Sequence, residues 1–167
     1  FIALACTNFV AKTNEITTSN FIFETGDIPS VHSSTITETS KGLLVAFFGG
    51  EYEGSPDTSI YLSKGDGKNW SKPVIVAEGI VEGEKRKACY NPVLYTYPDG
   101  EILLFYKIGE NVQDWRGYFK RSNDDGETWS EPTLPLCFTD YAAQQTEWPR
   151  DDVGKNVQIQ GSASFID

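Results

Sequence analysis

The sequence contains no methionine, a single histidine and only three cysteines among its 167 residues. Without an initiator methionine it reads as a trimmed or incomplete chain. Cys6, Cys89 and Cys137 show no C-x-x-C spacing, and with one histidine a zinc site is not expected; three cysteines also make an odd disulfide framework. No metal and no other cofactor is expected. Basic residues are few: 14 Lys plus Arg stand against 24 Asp plus Glu, a formal charge of −10. Such a chain repels phosphate backbones, which argues against a nucleic-acid partner. No apolar run approaches the roughly 20 residues that a bilayer-spanning helix needs. No segment carries a sustained helical period either.

What is present suits a packed domain: 39% of residues are apolar and 13% aromatic. The first six residues, Phe1-Ile2-Ala3-Leu4-Ala5-Cys6, read as the end of a signal-peptide apolar region before a cysteine. This pattern looks like a bacterial lipoprotein processing site, with Cys6 as the acylated residue and possible membrane anchor. Residues 1–19 are then a leader remnant and polar tether. The expected location is the bacterial cell envelope, as a periplasmic or outer-membrane lipoprotein, or the secreted space.

Self-similarity decides the fold. Val31–Thr37, a turn ending in Gly42, and Leu43–Phe48 are echoed by Cys89–Tyr95, Pro98-Asp99-Gly100 and Ile102–Tyr106. Ser63–Trp70 followed by Pro73 is echoed, 59 residues on, by Ser122–Trp129 followed by Pro132. Four landmarks in one order at nearly one offset indicate a repeat architecture. Each unit reads as four short strands rich in Val, Ile, Tyr, Phe and Thr. The first unit runs 31–38, 43–48, 58–64 and 72–78; the second runs 90–97, 101–107, 117–122 and 132 onward. The expected fold is all-β, a β-propeller of four-stranded antiparallel blades, with about two blades in residues 20–135. Propellers close with about 4–8 blades, so further blades or self-association are needed to close the ring. Residues 136–167 lack the pattern and read as an atypical tail.

Ser122-x-Asp124-x-Gly126-x-Thr128-Trp129 is a complete Asp-box, and Ser63–Trp70 is a degenerate copy with Gly65 at the Asp position. Such a turn uses Asp and Ser side chains to accept backbone N–H bonds and Gly for positive φ, and its Trp packs between sheets. Trp70 and Trp129 are expected as core residues. The chain resembles the bacterial sialidase-like proteins with Asp-box (BNR) repeats over about residues 28–135. The resemblance rests on His32-Ser33-Ser34-Thr35-Ile36, Phe48-Gly49-Gly50-Glu51, Glu53-Gly54, Pro56-Asp57, Asn91–Leu94, Leu104–Gly109 and the Asp-box. It implies a six-bladed parent propeller with a central pocket and a carbohydrate substrate.

Strand direction sorts the loops. If the first strand of each unit runs from top to bottom, the Asp-box turns lie at the bottom. His32, the loop bearing Glu51, Glu53 and Asp57, Asn91, and the loop from Lys107 to Arg116 then share the top rim. Propeller pockets open at such a rim. Glycoside hydrolysis uses two carboxyl groups. The resemblance places the acid/base at Asp57, and Glu53 is the second candidate. His32 stands where the resemblance implies an arginine that grips a substrate carboxylate. With Glu51, Asn91, Lys107, Trp115 and Arg116 it forms the expected binding set, in which Trp115 offers a ring for stacking and Lys107 and Arg116 offer cations. Lys85-Arg86-Lys87 reads as solvated loop charge. The expected activity is that of an exo-acting glycoside hydrolase on terminal, acidic sugars, inactive as this fragment. The alternatives are a non-catalytic glycan-binding or scaffolding propeller and a lyase on uronate-containing glycans.

Overall fold

The computed structural model describes residues 20–23, 26–81 and 83–134. The expected tether 1–19 with Cys6, and the tail 136–167, lie outside the described residues. Strands β1 (Ser30–Thr39), β2 (Gly42–Gly50), β3 (Ser59–Gly65) and β4 (Val74–Ala77) form one antiparallel sheet in chain order. Strands β5 (Ala88–Thr96), β6 (Ile102–Gly109) and β7 (Arg116–Ser122) form a second. The fourth strand expected from residue 132 is represented by one reciprocal backbone pair, Thr133 with Phe119. The only helical turn among the described residues is 3₁₀, Val112–Asp114.

The two-residue period of a strand explains how the sheets stack. Leu44, Ala46 and Phe48 on β2, with Ile60 and Leu62 on β3, meet Leu94, Leu104, Tyr106, Ile108 and Tyr118 of the second sheet in one buried core. The alternate residues face the other way, and on the first sheet Phe47 stacks on Tyr61 (5.7 Å) and on Phe23 (5.4 Å). This is why β2 is apolar on both faces. On the second sheet's other face the innermost strand is open, with Val93 and Tyr95 53% and 50% exposed, whereas Leu103 opposite Tyr95 is buried.

Side chains join the innermost strands β1 and β5. Thr37 and Thr96 hydroxyls lie 2.9 Å apart, and the Leu94 N–H donates to Thr35 Oγ1 at 3.3 Å. At the bottom, Asp125 accepts from the Ser40 N–H (3.1 Å) and hydroxyl (2.9 Å), and Lys64 pairs with Glu127 at 2.8 Å.

The complete Asp-box behaves as its spacing predicts. Asp124 accepts from the Ser122 hydroxyl (2.8 Å), the Thr128 N–H (2.9 Å) and the Thr128 hydroxyl (2.6 Å), and Trp129 packs against the core. The degenerate copy is a different turn. Lys64 pairs with Ser71 across residues 65–70, whereas Arg121 pairs with Ser130 across residues 122–129, two residues more. Asp66 closes the shorter turn by accepting from the Lys68 N–H (2.8 Å) and Asn69 N–H (2.7 Å). The shorter span sets Trp70 opposite Gly65, half-buried in a cleft with Phe23, Ile28 and Tyr61. The expectation of a core tryptophan therefore holds for Trp129, and Trp70 lies outside the inter-sheet core.

Candidate functional site

The top of both innermost strands carries the same irregularity. His32 pairs with Phe48 and Thr35 with Ala46, so β1 holds one residue more than its partner there. Tyr90 pairs with Lys107 and Val93 with Phe105, which repeats the bulge in β5. Each bulge places a non-glycine residue in the left-handed region, Ser33 at φ +51° and Asn91 at φ +46°. Pro92 has no N–H to give a ladder, and a bulge is where a sheet tolerates it. The Ser33 hydroxyl donates to Asn91 Oδ1 at 3.4 Å, joining the two bulges.

His32 stacks on Phe48 (5.5 Å between centroids), with Nε2 4.0 Å from the Glu53 carboxylate and 3.2 Å from the Ser30 hydroxyl oxygen. From Phe48 an aromatic run continues to Tyr90 (5.7 Å) and Trp115 (4.8 Å), and Lys107 Nζ sits 4.5 Å from the Trp115 ring centre. Burial raises the Tyr90 phenol above its usual range, with the Glu53 charge adding to it. Burial also pulls the Lys107 ammonium below its usual range. Ring and polar contacts thus link Glu53, His32, Phe48, Tyr90, Trp115 and Lys107 along one rim, and the Ser33–Asn91 pair follows His32 and Tyr90 directly in the chain.

Asp57 is organised differently. Its carboxylate accepts the Glu51 N–H at 3.0 and 3.3 Å, which folds the 51–57 loop back on itself. A hydrogen bond from Ser55 is the main reason the Asp57 carboxyl sits below its usual range, with the Glu51 bond helping and partial desolvation opposing. At neutral pH Asp57 is ionised, so in this state it accepts a proton and does not donate one. Arg86 braces the foot of the loop: Nη2 donates to the Asp57 carbonyl (3.2 Å) and Ser59 hydroxyl (2.9 Å) and meets Glu78 at 3.1 Å.

Arg116 belongs to another part of the rim. It donates to Glu84 at 3.2 Å, and Glu84 also holds Lys87 at 2.6 Å. These three line a cavity of about 300 Å³ with Val81, Trp115 and Tyr118. The Lys85–Lys87 run is therefore not uniform solvated charge, because Arg86 and Lys87 each have a defined partner. Three contributors were missed by sequence reasoning: Ser33, Tyr90 and Arg86. Tyr90 had a signal, since it occupies in the second unit the ladder position that His32 occupies in the first. Arg86 had none, because the loop groups it braces, at Ser59 and Asp57, are 27 and 29 residues away.

Residues 41–162 match the family described as BNR repeat-like domain, well over half of the chain. The chain belongs to the BNR repeat-like domain family. This BNR repeat protein is 71% identical over 49 residues to the anhydrosialidase of Macrobdella decora, covering 29% of this chain and 6% of that one. It is 59% identical over 82 residues to Sialidase B of Streptococcus pneumoniae serotype 4, covering 46% of this chain and 12% of that one. Among solved structures it resembles the Hadza microbial sialidase Hz136, with a TM-score of 0.54 and 18% identity over 62% of this chain and 25% of that one. A protein of unknown function from Dyadobacter fermentans DSM 18053 superposes with a TM-score of 0.50 and 19% identity, covering 65% and 41%. The structural likeness carries the fold: two sheets of a sialidase-like β-propeller. The BNR chain spans between 6% and 41% of the length of these proteins, and no more than 12% of the two sialidase relatives matched by sequence.

Proposed function

We propose that this chain is part of a sialidase-like exo-glycoside hydrolase acting on terminal, acidic sugars of glycans. The observation that carries the proposal is the high local identity with proteins named anhydrosialidase and Sialidase B. The rim supports it. Half-buried Trp115, backed by the buried Tyr90 ring, supplies ring surface for a sugar, and Lys107 beside Trp115 supplies positive charge for an anionic group. Asp57 and Glu53 are the proposed catalytic carboxyl groups, with His32, Glu51, Asn91 and Arg116 orienting substrate. Ionised Asp57 suits proton acceptance; donation requires loosening its ties to Ser55 and the Glu51 N–H as substrate arrives. The open side of the innermost strand bearing Val93 and Tyr95 fits further blades, and without them we expect no turnover. Cys6 is proposed, on sequence grounds, as a lipid anchor in the bacterial cell envelope.

One observation favours a second reading, a non-catalytic glycan-binding propeller: the Asp57 carboxylate is engaged in holding its own loop. The two readings separate on Asp57→Asn in the longest protein that carries these residues. Loss of sugar release from a fluorogenic sialoside or glucuronide, with glycan binding kept, supports the hydrolase. Binding by the unaltered protein with no release from either glycoside refutes it in favour of the binder.

A further inference from the structure

We propose that Ser33 and Asn91 form one subsite that reads two adjacent hydroxyl groups of a sugar. The proposal rests on the reading of this rim as glycan-binding and adds a ligand group and a residue to it. The two strands carry the same bulge at the same level, and each bulge holds a non-glycine residue at positive φ. A left-handed backbone is costly for serine, and strain of this kind collects at ligand sites. The strain is spent on side chains that meet across two sheets, 58 residues apart in sequence, beside the His32–Glu53 pair. Both side chains are within reach of solvent.

The bond direction sets the ligand. The Ser33 hydroxyl gives its proton to Asn91 Oδ1, so the Ser33 oxygen keeps lone pairs to accept a bond. The Asn91 amide keeps its NH₂ donors. The pair therefore offers one acceptor beside one donor. Adjacent sugar hydroxyls match this, one donating and its neighbour accepting. A carboxylate only accepts, and it would face the Ser33 lone pairs unpaired. On this arrangement the subsite holds the hydroxyl part of a sugar, and any acidic group lies elsewhere on the rim.

The test follows the Asn91 side-chain NH₂ signal by ¹H–¹⁵N NMR of the 167-residue chain. The probes are the methyl glycoside of N-acetylneuraminic acid, its carboxyl methyl ester, and methyl β-galactoside. Ser33→Gly and Asn91→Gly are the variants, since glycine accepts positive φ and keeps the backbone. The expected result is that the acid and its ester both move the Asn91 side-chain signal of the unaltered chain, and that both variants, followed through the His32 and Ser34 backbone amides, bind both sugars about tenfold more weakly with unchanged melting. If the acid moves signals near Lys107 and Trp115 while Asn91 stays still, or if both variants bind as the parent does, the subsite is refuted and the glycan reading stands. If none of the three sugars moves any signal, the glycan reading fails and the subsite with it.

Discussion

Gly126→Ala tests how the Asp-box seals the two sheets together. Gly126 sits at φ +76° and donates its N–H to the Ser122 hydroxyl at 2.9 Å. A methyl group there would lie 2.9 Å from Leu44 Cδ1, 3.5 Å from Leu44 Cδ2 and 3.6 Å from Leu62 Cδ2. Leu44 is 2% exposed and Leu62 1%. Two costs therefore add: about 1–2 kcal/mol for an L-residue in left-handed backbone, and about 1–3 kcal/mol for forcing a methyl into a filled core. Gly100, in the β5–β6 turn, isolates the first cost. It has φ +93° and nothing within 4 Å of the position a Cβ would take. Urea unfolding followed by tryptophan fluorescence should show Gly126→Ala losing at least about 1 kcal/mol more than Gly100→Ala, the low end of the packing cost. Equal losses would refute the claim that this turn is packed against the neighbouring blade. A Gly126→Ala/Leu44→Ala double variant sharpens the result, because removing Leu44 should recover the packing share and leave the backbone share.

Three other outcomes follow from single groups. The Asp66 carboxyl is held down to about 2, mainly by the Asn69 and Lys68 N–H groups. Its native value is depressed, so the stability it contributes is present above the ordinary carboxyl range near 4 and is lost as pH falls towards about 2. Asp66→Asn should flatten the melting-temperature decline across that window, and an unchanged slope would count against the role. Tyr106 is 2% exposed and its hydroxyl has no partner among the described residues. Tyr106→Phe should therefore raise unfolding free energy by about 1 kcal/mol, whereas a loss of that size would show the hydroxyl to be bonded. The Cys89 thiol is fully buried and pushed up to about 12 by desolvation. Peptide mass mapping after iodoacetamide should find Cys89 alkylated only in urea, and modification of the native chain would contradict its burial.

The fold was legible because the repeat is physical as well as textual. Thr37 and Thr96, 59 residues apart, touch each other, as do Ser33 and Asn91 at 58. Equivalent positions on adjacent inner strands face one another, so a sequence offset became a spatial contact. The rim was legible through strand direction alone, which places His32, Glu53, Asn91 and the Lys107–Arg116 loop at one end. Side-chain pairing was not. Whether Arg116 faces a ligand or Glu84, and whether Arg86 is solvated or braces Asp57, depends on crossover geometry between residues 78 and 88 that no pattern encodes. The degenerate hairpin misled for a related reason. Ser63 and Trp70 keep the spacing of Ser122 and Trp129, but with Asp moved one position later to Asp66 the turn closes over fewer residues, and the indole is set on the other side.

The two ends of the sheets divide the work by the kind of backbone they use. At the bottom, Asp124, Asp125 and Asp66 spend their carboxylates on N–H and hydroxyl groups of turns, which fixes the hairpins and joins the sheets. At the top, the same residue type does a similar task once, at Asp57, and there it leaves Glu51 and Glu53 exposed on the loop it shapes. A loop held by one carboxylate and braced by Arg86 presents its remaining carboxylates in a fixed place without a regular strand to carry them. That gives Asp57 a role in the site whether or not it transfers a proton: Asp57→Asn should disturb Glu53 and its approach to His32 as well as any chemistry at position 57. Ser55→Ala separates the two. It removes the main bond depressing the Asp57 carboxyl while keeping the carboxylate and its bond from the Glu51 N–H. A chain in which Ser55→Ala shifts the acid limb of a pH–activity profile upward has Asp57 in the chemistry. One in which only Asp57→Asn has an effect, with no shift for Ser55→Ala, has it in the scaffold.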